Sequence, residues 1–483
     1  MCRVRSNRLL NKATTGPAMR LAAVSWWQIG CVFTALVAGL FTQLPGSGAA
    51  LSRAAFAAPA GGDTVILWNT NAGMAATKAC IAPLDDPLHE SRMYAMMHLA
   101  IHDSLNAISR RAEPYAYRAR AQGAAPVAAV AAAARGTLVA AVGTLPEPFS
   151  ACAATEIPAI EADYAAALAA VPDSEAKDRG VAVGNAAAQA VVALRTGDGS
   201  DTLLFDTAYP QGDEPGEYRF TSVEFPFAFA PGWGEVTPFG LVSGAQFRSD
   251  EPYPLTSRAY TRDFNEVKAL GGDGTTTPSD RTADQTKEAR FWVESSPLLW
   301  NRLARSLAEQ RRLDAWQAAR LFGLLDIALT DGYIGTFNQK YDQNFWRPVT
   351  AIRAAGTDGN PLTFPDATWT PLVTTPPIPD HDSGHSVEGG AAAAVLRGFF
   401  GSDRAHFELC SFTLLPGETC TDPSPTMRSF DSFSQAAAEN ADSRVLVGFH
   451  FRHATTSGTT HGLKIGQYVV RNFLETATLS TIK

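Results

Sequence analysis

The chain has 483 residues, 46% of them hydrophobic and 18% charged, and a formal net charge of −8. This length allows one or two domains with ample core, and the acidic balance excludes nucleic acid, whose partners normally present a basic face. An acidic protein that binds an anion must do so locally, with cations gathered in one pocket.

Residues 1–60 read as a targeting segment rather than as part of the fold. Arg3, Arg5, Arg8, Lys12 and Arg20 precede an apolar run from Leu21 to Phe41, and small residues with A-x-A patterns follow at Ala55-Phe56-Ala57 and Ala58-Pro59-Ala60. Basic flank, apolar stretch and A-x-A form the export pattern. The run is also nearly long enough to span a bilayer, so residues 21–41 are either a cleaved signal or an uncleaved anchor. Either one places the rest of the chain outside the cytoplasm, periplasmic or secreted, with an anchor as its only expected membrane contact. Cys2 and Cys31 fall in this segment, leaving Cys80, Cys152, Cys410 and Cys420. Four cysteines allow three pairings. The short spacing across Pro416-Gly417 suits a local Cys410–Cys420 staple, with Cys80 and Cys152 as the other pair; four free thiols are the alternative.

Residues 61–285 form an N-terminal helical part with a long connection. Met93, Met96, Met97, Leu99, Ile101, Leu105 and Ile108 recur at helical spacing over Pro87–Ile108. Helices are predicted over Ala124–Val142, Glu156–Ala170 and Ser174–Arg195, with Pro172-Asp173 between the last two. From about 199 to 285 proline, glycine and aromatics are dense and helical periodicity survives only in Tyr260–Leu270. A connection of this length is either functional or a second structural layer, and packing over the bundle is its expected role. Residues 286–483 form the catalytic part. Predicted helices are Ala283–Glu294, Pro297–Leu307, Ala315–Phe337, Gly384–Phe400, Ser432–His453 and Gly462–Leu474, with few alternating strand patterns anywhere. The fold class is mainly α, two packed helical bundles.

Three segments in the last third carry chemistry. Lys340-Tyr-Asp-Gln-Asn-Phe-Trp-Arg347-Pro348 offers an ammonium and a guanidinium, and Pro348 places Arg347 where a helix gives out. Ser383-Gly384-His385 stands before a helical run, where first-turn amides and the dipole favour an anion and Gly384 permits its close approach. Ser443-Arg444, with His450 six residues beyond Arg444, adds a third cation and a second histidine. On one continuous helix Arg444 and His450 project to different sides, so they grip one ion only if the helix bends or ends between them. Each segment alone is unremarkable; jointly they supply a cradle for a tetrahedral oxyanion with acid–base or nucleophilic groups beside it.

The order and spacing of KYDQNFWRP, SGH and SRVLVGFH resemble the superfamily of vanadium-dependent haloperoxidases and phosphatidic acid phosphatases type 2, and the Phe345-Trp346-Arg347-Pro348 and Gly448-Phe449-His450-Phe451-Arg452 runs look like its haloperoxidase branch. The likeness extends over roughly residues 65–475, taking in His98–Asp103 and Arg281–Trp292. It implies the two-bundle fold of haloperoxidases and acid phosphatases. It also implies vanadate as cofactor, with His450 as its covalent ligand, His385 as acid–base group, and Lys340, Arg347, Ser383, the Gly384 amide and Arg444 holding its oxygens; no divalent metal is implied. Phe337 and Ile378 would wall a halide pocket. Hydrogen peroxide and halide would be the substrates. A phosphatase acting on phosphate esters through phosphohistidine at His450 is the alternative, and a non-catalytic anion-binding homologue the second. Two positions depart from the family. The Asp that often stands four residues after the ligand histidine and orients it is Ala454 here, so either a backbone carbonyl, His453 or another group orients His450, with Asp342, Asp382 and Asp442 candidates by nearness in sequence, or the histidine is a weaker nucleophile and ligand. Ile378 takes a position that is aromatic or histidine in well-known haloperoxidases, so their halide preference does not carry over.

Overall fold

The second helix among the described residues shows how local chemistry starts these elements. Pro87 occupies its first position and the Asp86 carboxylate accepts the amides of Leu88 and His89 at 3.2 and 3.1 Å. The computed structural model describes residues 61–476. The basic flank, the apolar run 21–41, the A-x-A motifs, Cys2 and Cys31 lie outside the described residues.

The first bundle comprises α1 (Gly61–Lys78), α2 (Pro87–Ile108), α3 (Pro126–Gly143), α4 (Ser150–Ala169) and α5 (Glu175–Leu194). α3 is long and apolar enough to cross a bilayer, but Ala128–Ala134 are all buried against neighbouring helices. A connection follows, holding a two-residue ladder of β1 (Phe205–Asp206) and β2 (Ala228–Phe229) and a 3₁₀ turn at Trp233–Glu235. Then come α6 (Arg258–Leu270), α7 (Ala283–Phe291), α8 (Ser296–Gln310), α9 (Ala315–Gln343), α10 (Pro348–Ala354), α11 (Gly384–Phe400), the antiparallel hairpin β3 (Arg404–Leu409) and β4 (Arg428–Ser432), α12 (Phe433–Leu446) and α13 (Arg452–Asn472). In the second bundle α11 lies between α12 and α13. α9 is shared, packing on α1 and α2 on one side and on α11 and α13 on the other. The mainly α, two-bundle expectation holds.

Small residues set the tightest seams. A Cβ on Gly184 of α5 would lie 2.3 Å from the Ala129 carbonyl of α3, and one on Gly462 of α13 only 1.9 Å from the Val387 carbonyl of α11. Buried carboxylates pin the irregular segments. Asp331 on α9 accepts the amides of Phe239, Gly240 and Leu241 at 2.6–2.8 Å, and Asp103 on α2 those of Tyr115, Ala116 and Tyr117. Both disulfides form as paired from the spacing: Cys80–Cys152 ties the end of α1 to α4, and Cys410–Cys420 closes the loop after β3.

Several boundaries differ from the sequence expectations. The single helix expected over Ser432–His453 is broken after Leu446, because Gly448 turns the chain at φ +87° where a Cβ would meet the Gly271 carbonyl at 2.6 Å. The last helix consequently begins at Arg452 rather than at Gly462. α9 runs six residues past Phe337, to Gln343, and stops where Asn344 takes a left-handed conformation, φ 45°. α4 begins at Ser150 rather than Glu156, and α1, α10 and the β3–β4 hairpin had no sequence expectation.

The α11–α13 seam yields a stability prediction. Gly462→Ala forces a methyl against backbone and lowers stability by roughly 1–3 kcal/mol. Gly143→Ala, whose Cβ would meet only Ile157 Cδ1 at 3.7 Å, is tolerated. Urea midpoints of the two variants measure the difference.

Candidate functional site

Three interruptions of helix bring the cations together. Lys340 is on the last turn of α9, Arg347 is the residue before α10, and Arg444 is on the last turn of α12. All three are buried, and backbone carbonyls hold them. Lys340 Nζ donates to the carbonyls of Pro379 and Asp380 at 2.8 and 2.9 Å. Arg347 donates through Nε to Ile378 O at 2.7 Å and through Nη1 to Phe449 O at 2.9 Å. Arg444 Nη1 donates to Trp292 O at 2.7 Å, and its guanidinium lies over the Phe449 ring. His450 follows the Gly448 turn, which lets it face the same place as Arg444: Arg347 Nη1 lies 3.0 Å from His450 Nε2.

The Ser383-Gly384-His385 segment starts α11, but Ser383 is not the side-chain cap that the sequence suggests. Its hydroxyl makes no cap bond, and the first-turn amides of α11 are left without one. The Ser383 oxygen instead accepts from Ser386 at 2.9 Å, which leaves its own hydrogen to donate elsewhere. The space beside Gly384 is open, since an added Cβ would meet nothing nearer than Thr336 at 3.7 Å. His385 Nε2 lies 3.2 Å from Glu294 O, so with Nε2 donating, Nδ1 keeps its lone pair. Unspent donors thus include the third N–H of Lys340, the buried and unpartnered Arg444 Nε, the Ser383 hydroxyl and the α11 amides. This donor set fits a tetrahedral oxyanion.

Electrostatics follow from burying like charges side by side. Burial, then Arg347, holds Lys340 well below the usual lysine range; the same two causes pull Arg444 down to about 9. His450 is pushed well below the ordinary histidine range by burial and by Arg347, Lys340 and Arg444, and His385 by burial and Arg444. Both imidazoles are therefore neutral at neutral pH, and His450 has a lone pair to give.

Each side chain named as a candidate to orient His450 is engaged elsewhere. Asp342 pairs with Arg248 at 2.9 Å, Asp382 with His461 at 2.9 Å, and Asp442 with Arg452. His453 stacks on Tyr253 and meets Glu251 O through Nε2 at 2.8 Å. The group beside His450 is instead Asp380, whose Oδ1 lies 2.9 Å from Nδ1. Sequence reasoning passed over Asp380; the Pro379-Asp380-His381-Asp382 run before Ser383 was the available signal. Phe337 is buried with Phe229 and Tyr341, and Ile378 packs against the same apolar cluster. The long connection also does more than cover the bundle. It bonds to the site segments backbone to backbone, Tyr218 N to Asn344 O, Trp346 N to Gly216 O and Phe229 N to Pro377 O, all at 2.8 Å.

Residues 320–478 match the family profile of the VCPO second helical-bundle domain. The vanadium chloroperoxidase of Curvularia inaequalis is 25% identical over 276 residues, which span 46% of this chain and 45% of that relative's length. A crystal structure described as the first bacterial vanadium-dependent iodoperoxidase superposes with a TM-score of 0.67 at 22% identity, covering 86% of this chain and 98% of that one. The holo form of a bacterial vanadium-dependent chloroperoxidase superposes with a TM-score of 0.62 at 16% identity, covering 86% and 96%. The chain thus has the fold of the vanadium-dependent haloperoxidases, and its residues 320–478 are similar to the VCPO second helical-bundle domain.

Proposed function

We propose that this protein is a vanadate-dependent haloperoxidase that oxidises halide with hydrogen peroxide. The observation that carries this reading is the gathering of three buried cations around a neutral histidine, with Arg347 Nη1 3.0 Å from its Nε2, and an α11 that starts without a side-chain cap. His450 Nε2 would bind the vanadium, and Lys340, Arg347, Arg444, the Ser383 hydroxyl and the Gly384 amide would hold the oxygens. When bound, vanadate supplies the Lewis acidity that activates peroxide toward halide. The cations stabilise negative charge on the oxygens in a site from which water is largely excluded. His385, kept neutral by burial and by Arg444, has Nδ1 available to accept a proton from peroxide and return it to the leaving oxygen.

Phe337 and Ile378 are our candidates for the apolar wall of the halide site. The structural relatives named above include both an iodoperoxidase and a chloroperoxidase, so the shared fold does not set the halide. Two disulfides support an extracytoplasmic location, reached through the N-terminal segment as a signal or an anchor.

Halogenation of a dimedone reporter by the purified protein, with vanadate, peroxide and each halide in turn, tests the function. Activity should require vanadate and fall on adding phosphate, His450→Ala should abolish it, and Lys340→Met should lower kcat by roughly 10²-fold. Vanadate-inhibited hydrolysis of a phosphate ester without halogenation would instead assign phosphatase chemistry to the cradle.

The buried cations also predict a pH dependence. Because Lys340 lies well below its usual range in the free site, it sheds its proton at lower pH than an ordinary lysine, and an oxyanion must then restore it on binding. Affinity for tungstate, whose own charge is constant over the range, should fall as pH rises toward the ordinary lysine value of about 10.4, by up to about tenfold per unit. Calorimetry in buffers of different ionisation enthalpy should record proton uptake.

A further inference from the structure

We propose that Asp380 is the positioning residue for His450, supplying from the segment before α11 the carboxylate that the family pattern places at the position of Ala454. The inference rests on reading His450 as the oxyanion ligand. Arg347 Nη1 lies along one edge of the ring, 3.0 Å from Nε2 and 3.4 Å from Nδ1, whereas Asp380 Oδ1 approaches Nδ1, at 2.9 Å. A neutral imidazole carries one proton, and ligation through Nε2 requires a lone pair there, so the proton belongs on Nδ1, beside the carboxylate. No other side chain among the described residues donates to either Asp380 oxygen although the residue is almost fully buried, and the backbone amide of Phe451 faces the carboxyl. The Nδ1 edge of the neutral ring is thus the side-chain group that Asp380 approaches most closely.

The surroundings show why this carboxylate serves. Ala454 is fully buried and lines, with Asp380, Phe451 and Phe345, a cavity of about 10 Å³. The space next to position 454 therefore opens onto Asp380, and a carboxylate can reach it from either chain segment. Backbone bonds fix the approach of the two segments: Ser383 N donates to Ala454 O at 3.0 Å, Asp380 N to Phe345 O at 2.9 Å, and Lys340 Nζ to Asp380 O at 2.9 Å. Because these bonds use the main chain of Asp380, its side chain can be changed without releasing Lys340. Asp263, the other carboxylate lining the cavity, is taken by the His453 amide at 2.9 Å.

The test measures oxyanion affinity rather than turnover, using vanadate and, separately, phosphate as titrants with the whole described chain. Asp380→Ala should weaken vanadate binding by about 10–100-fold while the urea midpoint stays near that of the unmodified protein, because the main-chain bonds of residue 380 to Phe345 and Lys340 are kept. Adding Ala454→Asp to Asp380→Ala, which vacates the volume a longer side chain needs, should recover most of the affinity. Unchanged affinity in Asp380→Ala overturns the proposal, as does a loss that comes with a lowered midpoint and is not recovered by Ala454→Asp. If the unmodified protein binds both oxyanions but oxidises no halide, the haloperoxidase reading fails and the positioning role is still decided by these affinities.

Discussion

Three cations share one buried site with the carboxyl groups of Asp380 and Asp382 near Lys340, and much of the surrounding architecture follows from that constraint. Charges so placed lose hydration and repel one another, and they are tolerated only where the protein supplies acceptors. The acceptors here are main-chain carbonyls, those of Trp292, Ile378, Pro379, Asp380 and Phe449. A carbonyl inside a helix is already spent on its own ladder. Hence each acceptor lies just beyond a helix end or in the irregular run before α11, and the breaks after α7 and α12 are requirements of the charge cluster rather than imperfections of the bundle.

The same economy of local structure appears at the helix starts near the site. α11 begins without a side-chain cap, which leaves its first amides for an anion. α13, which starts two residues after His450, has no cap of its own either, but the Asp263 carboxylate of α6 accepts the His453 amide. One helix start is kept open and the other is closed by a distant residue, and the difference separates the anion's side of His450 from the packed side.

Helix existence was largely legible in the sequence, because strong periodicity and proline or asparagine breaks mark α2, α5, α9 and α11 without reference to tertiary contacts. Where expectation failed, a distant partner decided. Nothing in the run from Ser432 to His453 announces a break except Gly448, and what makes that glycine turn left-handed is the backbone of Gly271 and the side chains of Pro371 and Trp369. The cationic residues and histidines were legible as a set because motif order and spacing carry them. The surroundings of His450 were not. Asp342, Asp382 and Asp442 were favoured by closeness to the motifs, yet each meets an Arg or His from another segment, and Asp380 reaches His450 through the pairing of residues 380–383 with the start of α13.

The connection between the bundles meets the site through main-chain bonds, at Gly216, Tyr218 and Phe229. Buried rings of the same strap, Tyr218, Phe229 and Trp233, add packing to those bonds, and Tyr209 reaches Asn344 Oδ1 at 3.0 Å. Its exposed positions, Val223 and Val242 among them, carry no such load. Substitutions there would redraw the outer surface of the strap while its main-chain register and the cation cluster stay where they are.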